Sequence, residues 1–421
     1  MAVPSLQLVE PPTVIELPIE AVRYLKEFYP RLRPDDAAIE RYRAAIDLLP
    51  PIIVARGGVV VDGYHRWQAH KRERRATIRA IDLGNLTDLE IKKEACLRNR
   101  EHGLQLSTPD KRRMVDEFYR LGVKEDAELA RLLGITEKTA EEYARDARRD
   151  EKAALRARAW DLYLDCLSDR AIARALGITD MTANAYYSEF SNELDFSERP
   201  ASWPDFDIWQ FGEAGEGGME SFFGRMPPQV VESLLWDYTE PGWIIFDPFA
   251  GGGTTIDVAK RMGRRVWASD LTPSTPALPI HAHDILSGWP KEAPARVDFI
   301  LLDPPYWKQA KGRYSESAQD LGNQSLDEFY ASWRQVVKTC RRHLFAHGFL
   351  AFIISPSVDG LAVVDHARPM ANACEAAGLI DHRRFIVPYQ TQQATGQQVT
   401  WARENRQHLK LYRDLCIFRR A

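Results

Sequence analysis

The stretch that most constrains this chain is an apolar run that ends abruptly. Phe299-Ile300-Leu301-Leu302 is followed at once by Asp303-Pro304-Pro305-Tyr306. An unalternating apolar run bounded by turn residues reads as a strand buried on both faces, as in the middle of a parallel sheet. Each proline then fixes φ and removes a backbone donor, so the chain leaves the strand through a rigid turn. That turn gathers a carboxylate, carbonyl oxygens and an aromatic face at one point. Ligands of open α/β sheets bind at such carboxyl edges. About fifty residues earlier a second apolar run, Trp243-Ile244-Ile245-Phe246, ends in Asp247-Pro248-Phe249-Ala250-Gly251-Gly252-Gly253-Thr254-Thr255. Glycines at a strand end let a ligand approach the backbone closely, because they lack Cβ.

Together, in this order, the two stretches resemble the DPPY motif and the glycine-rich S-adenosylmethionine loop of amino-group DNA methyltransferases. The resemblance implies a Rossmann-like domain with Asp303, Pro304, Pro305 and Tyr306 as the catalytic turn. It also implies S-adenosylmethionine as cofactor, held by Asp247, Phe249, Gly251, Gly253, Thr254, Asp270 and Asp284. An exocyclic amine is a poor nucleophile because its lone pair is delocalised into the ring. The Asp303 carboxylate and the Pro304 carbonyl would accept its hydrogens, and Tyr306 would stack on a base flipped from its helix. Asp247 would orient a water or the cofactor's ammonium, Asp270 would take ribose hydroxyls, and Asp284 would meet the adenine amine. No Lys-Ser/Thr follows the glycines, which argues against a phosphate-binding P-loop. No cysteine follows a proline, which disfavours cytosine C5 methylation.

Asp at the head of the motif favours adenine N6, and N4-cytosine stays open as the alternative. Two further readings remain. One is methylation of RNA or of protein glutamine. The other is a DNA-binding regulatory protein whose methylase half has another role.

The front of the chain carries a second resemblance. A double-proline break precedes Ile52-Ile53-Val54, and Gly57-Gly58 turns a hairpin into Val59-Val60-Val61. Asp62-Gly63-Tyr64-His65-Arg66 then forms a strand-to-helix junction. This resembles the N-terminal domain of ParB-like and sulfiredoxin-like proteins, in which a Gly-x-x-Arg element binds nucleotide phosphates. Gly63 and Arg66 match it, and Asn99 in Arg98-Asn99-Arg100 is the counterpart of the family's second element. The resemblance implies a CTP or ATP site. No cysteine lies near Gly63, so sulfiredoxin chemistry is not expected.

Two segments that follow look alike: 126–140 and 168–183. Each has Ala inside a first helix, a Gly at the turn (Gly134, Gly177) and a Thr heading a second helix (Thr136, Thr179), the helix-turn-helix pattern. Recognition helices are expected over 137–148 and 180–190. With the surrounding arginines they point to double-stranded DNA, and Lys138, Arg145 and Arg148 are candidate contacts. In the C-terminal part, Lys308 in a substrate-closing loop over 307–323 and Arg403 in a polar stretch over 390–406 are further candidates.

The fold expected is thus α/β: a Rossmann-like methyltransferase domain over 213–421, preceded by a small α+β ParB-like domain (12–105), an all-α helix-turn-helix region (106–195) and a linker (196–212). Core strands are expected at 243–246, 265–270, near 279–284, 297–302 and 348–355, with a final antiparallel strand over 411–419. Helices are expected over 35–49, 228–238 and 325–343. The 421 residues exceed one ordinary core. A net charge of −4 leaves any nucleic-acid role to a local basic face. Five scattered cysteines without a CxxC pair argue against disulfides or zinc and fit a reducing cytoplasm. No stretch reaches membrane-spanning length and the start does not read as a signal peptide. No membrane partner is expected, and a homodimer is the candidate assembly.

Overall fold

The computed structural model describes residues 13–421 apart from 102–105, 195–198, 201–202, 212–215, 220, 223, 309–316, 318–319, 360–361 and 390–394. Backbone contacts divide the chain into two compact units, Met1–Ala154 and Leu155–Ala421. The helical stretch expected over 106–195 is therefore shared between them.

In the first unit β1 (Val14–Pro18), α1 (Asp36–Ala44), β2 (Ile52–Ala55), β3 (Val59–Asp62), α2 (Tyr64–Arg72), β4 (Thr77–Asp82) and α3 (Asp88–Glu101) form an α+β layer. The sheet order is β1-β4-β2-β3, with only the β2–β4 pair parallel. β4 and α3 are additions to the sequence reading. The helix expected over 35–49 stops at Ala44, where a separate 3-10 turn, Ile46–Leu48, takes over.

Helices α4 (Thr108–Arg120), α5 (Asp126–Leu133) and α6 (Glu137–Leu164) follow. The boundary between the units falls within α6, which is far longer than the expected recognition helix. In the second unit α7 (Asp169–Leu176) and α8 (Asp180–Glu193) repeat the design of α5 and α6. Gly134 and Gly177 end the first helix of each pair at φ +59° and +68°, a left-handed conformation that suits glycine. Thr136 and Thr179 then cap the next helix, accepting from the backbone N–H three residues on at 3.1 Å in both cases.

The rest of the second unit is a three-layer α/β fold of Rossmann type. Its elements are α9 (Pro228–Tyr238), β5 (Ile244–Asp247), α10 (Thr254–Arg261), β6 (Arg265–Asp270), β7 (Ile280–Ala282), β8 (Val297–Leu302), α11 (Leu326–His343), β9 (Leu344–Ile354), a small β10 (Ser357–Asp359) and β11 (Ala362–Val364) ribbon, α12 (Ala367–Ala376), β12 (Leu379–Pro388), α13 (Gly396–Glu404) and β13 (Tyr412–Arg420). The seven-stranded sheet runs β12-β13-β9-β8-β5-β6-β7. The β9-to-β7 part is parallel, and β13 is antiparallel to both β9 and β12. β12 pairs along most of β13 and is an addition to the sequence reading.

Because side chains alternate along a strand, the sheet buries two separate apolar layers. Phe246, Ile300, Leu302, Phe352 and Phe418 pack with α11 and α12. Ile245, Leu301, Ala351, Ile353, Leu415 and Ile417 pack with α9 and α10. Among the described residues no helix is long and apolar enough to cross a membrane, no cluster of His, Cys, Asp and Glu could hold a metal, and all five cysteines are free.

Candidate active site at the carboxyl edge of the sheet

β5 ends at Asp247 and the chain turns at once into the glycine loop that opens α10. Gly251 and Gly253 sit at φ +50° and +81°, which other side chains rarely adopt. A Cβ on Gly251 would approach Phe222 at 2.8 Å. The loop is held by carboxylates. Asp247, 3% exposed, accepts from Phe249 N at 3.0 Å and from the Thr255 hydroxyl. Asp270, at the end of β6, accepts from Gly251 N at 2.9 Å and Thr272 N at 3.0 Å. Sequence reasoning aimed these acids at a cofactor. Within the protein their oxygens accept from the backbone of the loop that a cofactor would touch. Asp284 likewise caps a short 3-10 turn, accepting from Leu286 N at 2.9 Å. Phe249 is half-buried against the α11 layer, and Thr254 is buried at the first position of α10.

One strand over, β8 ends at Leu302 and delivers Asp303. The residue is half-buried, and its carboxyl group accepts a hydrogen bond from the Tyr306 hydroxyl. Desolvation pushes Asp303 up to about 7, opposed by the Arg413 charge and the Tyr306 bond. Desolvation and the Asp303 charge push the Tyr306 phenol well above its ordinary value, so it stays protonated and donates. Asp247 is also pushed up to about 7, first by desolvation and then by the neighbouring acids, against the bonds from Thr255 and Phe249. Pro304 is buried and Pro305 half-buried. The turn is anchored behind by Trp307, 5% exposed, whose Nε1 donates to Gln324 O at 3.0 Å.

A DNA methylase family model matches residues 132–274. The match takes in the glycine loop and ends before Asp303. The chain is also similar to the type II methyltransferase M.BglII of Bacillus subtilis, 32% identical over 88 residues, which are 20% of this chain and 24% of that protein. It thus spans about a quarter of that relative's length. Among solved structures, TrmN from Thermus thermophilus aligns over 47% of this chain and 50% of its own, with 16% identity and a TM-score of 0.30. The C-terminally truncated chromosome-partitioning protein ParB from Caulobacter crescentus, complexed with CTP-gamma-S, aligns over 32% of this chain and 77% of its own, with 18% identity and a TM-score of 0.20.

The candidate nucleotide residues of the first unit meet at one place. Gly63, Arg66 and Asn99 line a single open cleft with Tyr29, Arg31 and Tyr64. Gly63 heads α2 at φ +98°, and a Cβ there would strike Ile52 at 2.7 Å and Arg66 at 2.9 Å. Arg66 donates to Asp62 at 2.7 Å, and Asn99 Oδ1 accepts from Arg31 at 3.0 Å.

The candidate DNA contacts do not share one environment. Lys138 and Arg145 are exposed on α6. Arg148 is turned inward, donating to Asp126 at 2.5 Å with its guanidinium 5.5 Å from the Tyr119 ring centre. The C-terminal end of α6 is tied to β6 and α10: Arg265 Nε donates to Tyr163 O at 3.1 Å, and Lys260 pairs with Asp165 at 2.5 Å. α8 carries no Lys or Arg at all. Lys308 sits at φ +61° and pairs with Asp359 at 2.7 Å. Its loop-mates Lys311 and Arg313 lie outside the described residues. Arg403 is exposed on α13, so 396–404 is helix within what reads as a polar stretch, and 390–394 lie outside the described residues.

Sequence reasoning missed Arg413, Tyr389 and Ser355 at this edge. A signal existed for the first. Arg413 precedes Leu415 and Ile417 at two-residue spacing, so a strand there must turn the arginine towards the same buried face.

Proposed function

We propose that the second unit is an S-adenosylmethionine-dependent methyltransferase acting on the exocyclic amine of a base in double-stranded DNA, adenine N6 being the target that the Asp-headed motif favours. The observation that carries the reading is that the glycine loop after Asp247 and the turn at Asp303 leave neighbouring parallel strands at one edge. The residues fit the cofactor: the loop is open to close approach, and three carboxylates (Asp247, Asp270 and Asp303) line an edge that suits a cationic ligand. When bound, S-adenosylmethionine supplies a methyl group activated by its sulfonium. Asp303 and the Pro304 carbonyl accept hydrogen bonds from the two amine N–H groups and localise the nitrogen lone pair, and the carboxylate is placed to take the one proton that leaves as the methyl group arrives. Tyr306 fixes the Asp303 carboxylate through its hydroxyl and offers its ring to the base. The two prolines hold these acceptors in place, so alignment contributes much of the rate. The test is transfer of labelled methyl to genomic DNA by wild type and by Asp303→Ala, with the product nucleoside identified. N6-methyladenine lost in the variant is the expected result. N4-methylcytosine corrects the base, and no transfer to DNA rejects the reading.

For the first unit the convergence of Gly63, Arg66 and Asn99 on one cleft supports a nucleotide site for CTP or ATP. A phosphate there would compete with Asp62 for the Arg66 guanidinium, which binds either oxyanion in the same fork. Calorimetry with CTP and ATP on wild type and Arg66→Ala tests it, and heat that is absent, or unchanged in the variant, rejects it. Lys138 and Arg145 on α6 are the basic side chains we assign to phosphate contact.

A further inference from the structure

Six polar residues stand in a row along the carboxyl edge, in the order of the sheet: Tyr389 after β12, Arg413 in β13, Ser355 after β9, Asp303 after β8, Asp247 in β5 and Asp270 in β6. Each lies two residues along the chain from an apolar residue of the α9 and α10 layer: Val387, Leu415, Ile353, Leu301, Ile245 and Ala268. Strand alternation therefore sends all six towards the same face. The row is lopsided in charge, with three carboxyl groups on one side of Ser355 and one guanidinium on the other.

That guanidinium is unusual in its surroundings. Arg413 is 4% exposed, and its Cζ lies 4.7 Å from the centre of the Tyr389 ring. Among the described residues its Nε has no hydrogen-bond partner. The adjacent acid in the chain, Asp414, belongs to the opposite face and is taken by Arg384 at 2.7 Å. A buried cation with no ion pair among the described residues is costly and needs a nearby negative charge. The first carboxyl group along the row is that of Asp303. It lies two strands away, roughly 10 Å between backbones, a span that a long side chain largely covers. Ser355 stands between them, hydrogen-bonded to Tyr389 and donating to Tyr412 O at 3.1 Å, which ties the end of β9 to the start of β13.

We propose that Arg413 is a positioning residue for Asp303, keeping that carboxylate charged and turned towards the amine to be methylated. The proposal rests on the methyl-transfer reading of Asp303. An amine with two hydrogens to give needs acceptors, and a protonated acid offers one fewer. The groups that face Asp303 are Tyr306 from its own turn, Asp247 from β5 and Arg413 from β13. Tyr389 beyond β12 acts on Tyr306, and Asp270 from β6 acts on Asp247. Desolvation favours the neutral acid at Asp303, and the Arg413 charge, followed by the Tyr306 hydrogen bond, opposes it.

Infrared difference titration reads the Asp303 carboxyl directly, as the band that Asp303→Asn removes, whether or not the chain transfers a methyl group. In Arg413→Met the midpoint of that band is expected to rise by about one pH unit or more, and in Arg413→Lys by about half as much. The acid limb of methyl transfer should rise with it, while S-adenosylmethionine affinity by calorimetry stays within about threefold, because the glycine loop is untouched. Should Arg413→Met fail to fold, the lysine variant carries the test. A midpoint that does not move in the folded variant overturns the proposal. An Asp303 band that responds to Arg413 in a wild-type chain that methylates no DNA counts against the proposed function alone.

Discussion

Asp247 and Asp303 end neighbouring parallel strands on the same face of one sheet, so their carboxyl groups share an edge. Both are pushed up to about 7, chiefly by desolvation. Methyl transfer is therefore expected to rise by about tenfold per pH unit below that point and to level off above it, as Asp303 becomes the charged acceptor. The sign for stability is opposite. The folded chain holds protons that the unfolded chain releases near pH 4, so this pair's contribution falls as pH rises from about 4 to about 7. Melting temperatures across that window should fall less steeply in Asp247→Asn than in wild type. Parallel slopes would remove Asp247 from the account.

Gly253→Ala tests the loop. At φ +81° an alanine is strained, and its Cβ would also run into Leu278 Cδ1. A loss of about 1–2 kcal/mol in stability is expected, with S-adenosylmethionine affinity reduced about tenfold or more because the backbone shifts where the cofactor approaches. Denaturant unfolding and calorimetry read the two effects separately.

Lys138 and Arg145 should separate from Arg148. Each of Lys138→Ala and Arg145→Ala is expected to weaken DNA binding and to cut the salt dependence of log K by about one. Arg148→Ala removes a half-buried ion pair to Asp126 and should instead destabilise the helix pair, by no more than about 1 kcal/mol because water still reaches both side chains. Equilibrium binding at several salt concentrations distinguishes them. An equal salt effect from Arg148→Ala would place that residue on DNA as well.

His366 offers a pH test away from the acids. It is fully buried, with Nδ1 3.0 Å from the Tyr330 hydroxyl and Nε2 2.8 Å from Ser357 Oγ, and it packs edge-on to Trp307 just after the turn at Asp303. Burial lowers its pKa from 6.5 to about 4. The unfolded chain then binds the proton first, so stability should fall as pH drops from about 6.5 towards 4. His366→Gln, which cannot titrate, should lose that part of the acid sensitivity. A variant as acid-sensitive as wild type would show that the histidine contributes nothing to it.

The legible parts of this chain were local ones. Asp303-Pro304-Pro305-Tyr306 and the glycine loop follow from strand endings, proline and glycine, whose constraints act within a few residues. β6, β8 and α9 could be bounded for the same reason, as could the two helix pairs, where Gly134 and Gly177 stop one helix and Thr136 and Thr179 start the next. Tertiary structure decided how those pieces meet. Residues 303 and 413 are more than a hundred apart in the chain, and only the placing of β13 between β12 and β9 brings the arginine onto the edge that carries the acid. It also set Asp247 and Asp270 against the backbone of the loop and Arg148 beside Asp126. A side chain's partner depends on which strand or helix packs beside it, and that is set by burial across the whole sheet rather than by its neighbours in sequence.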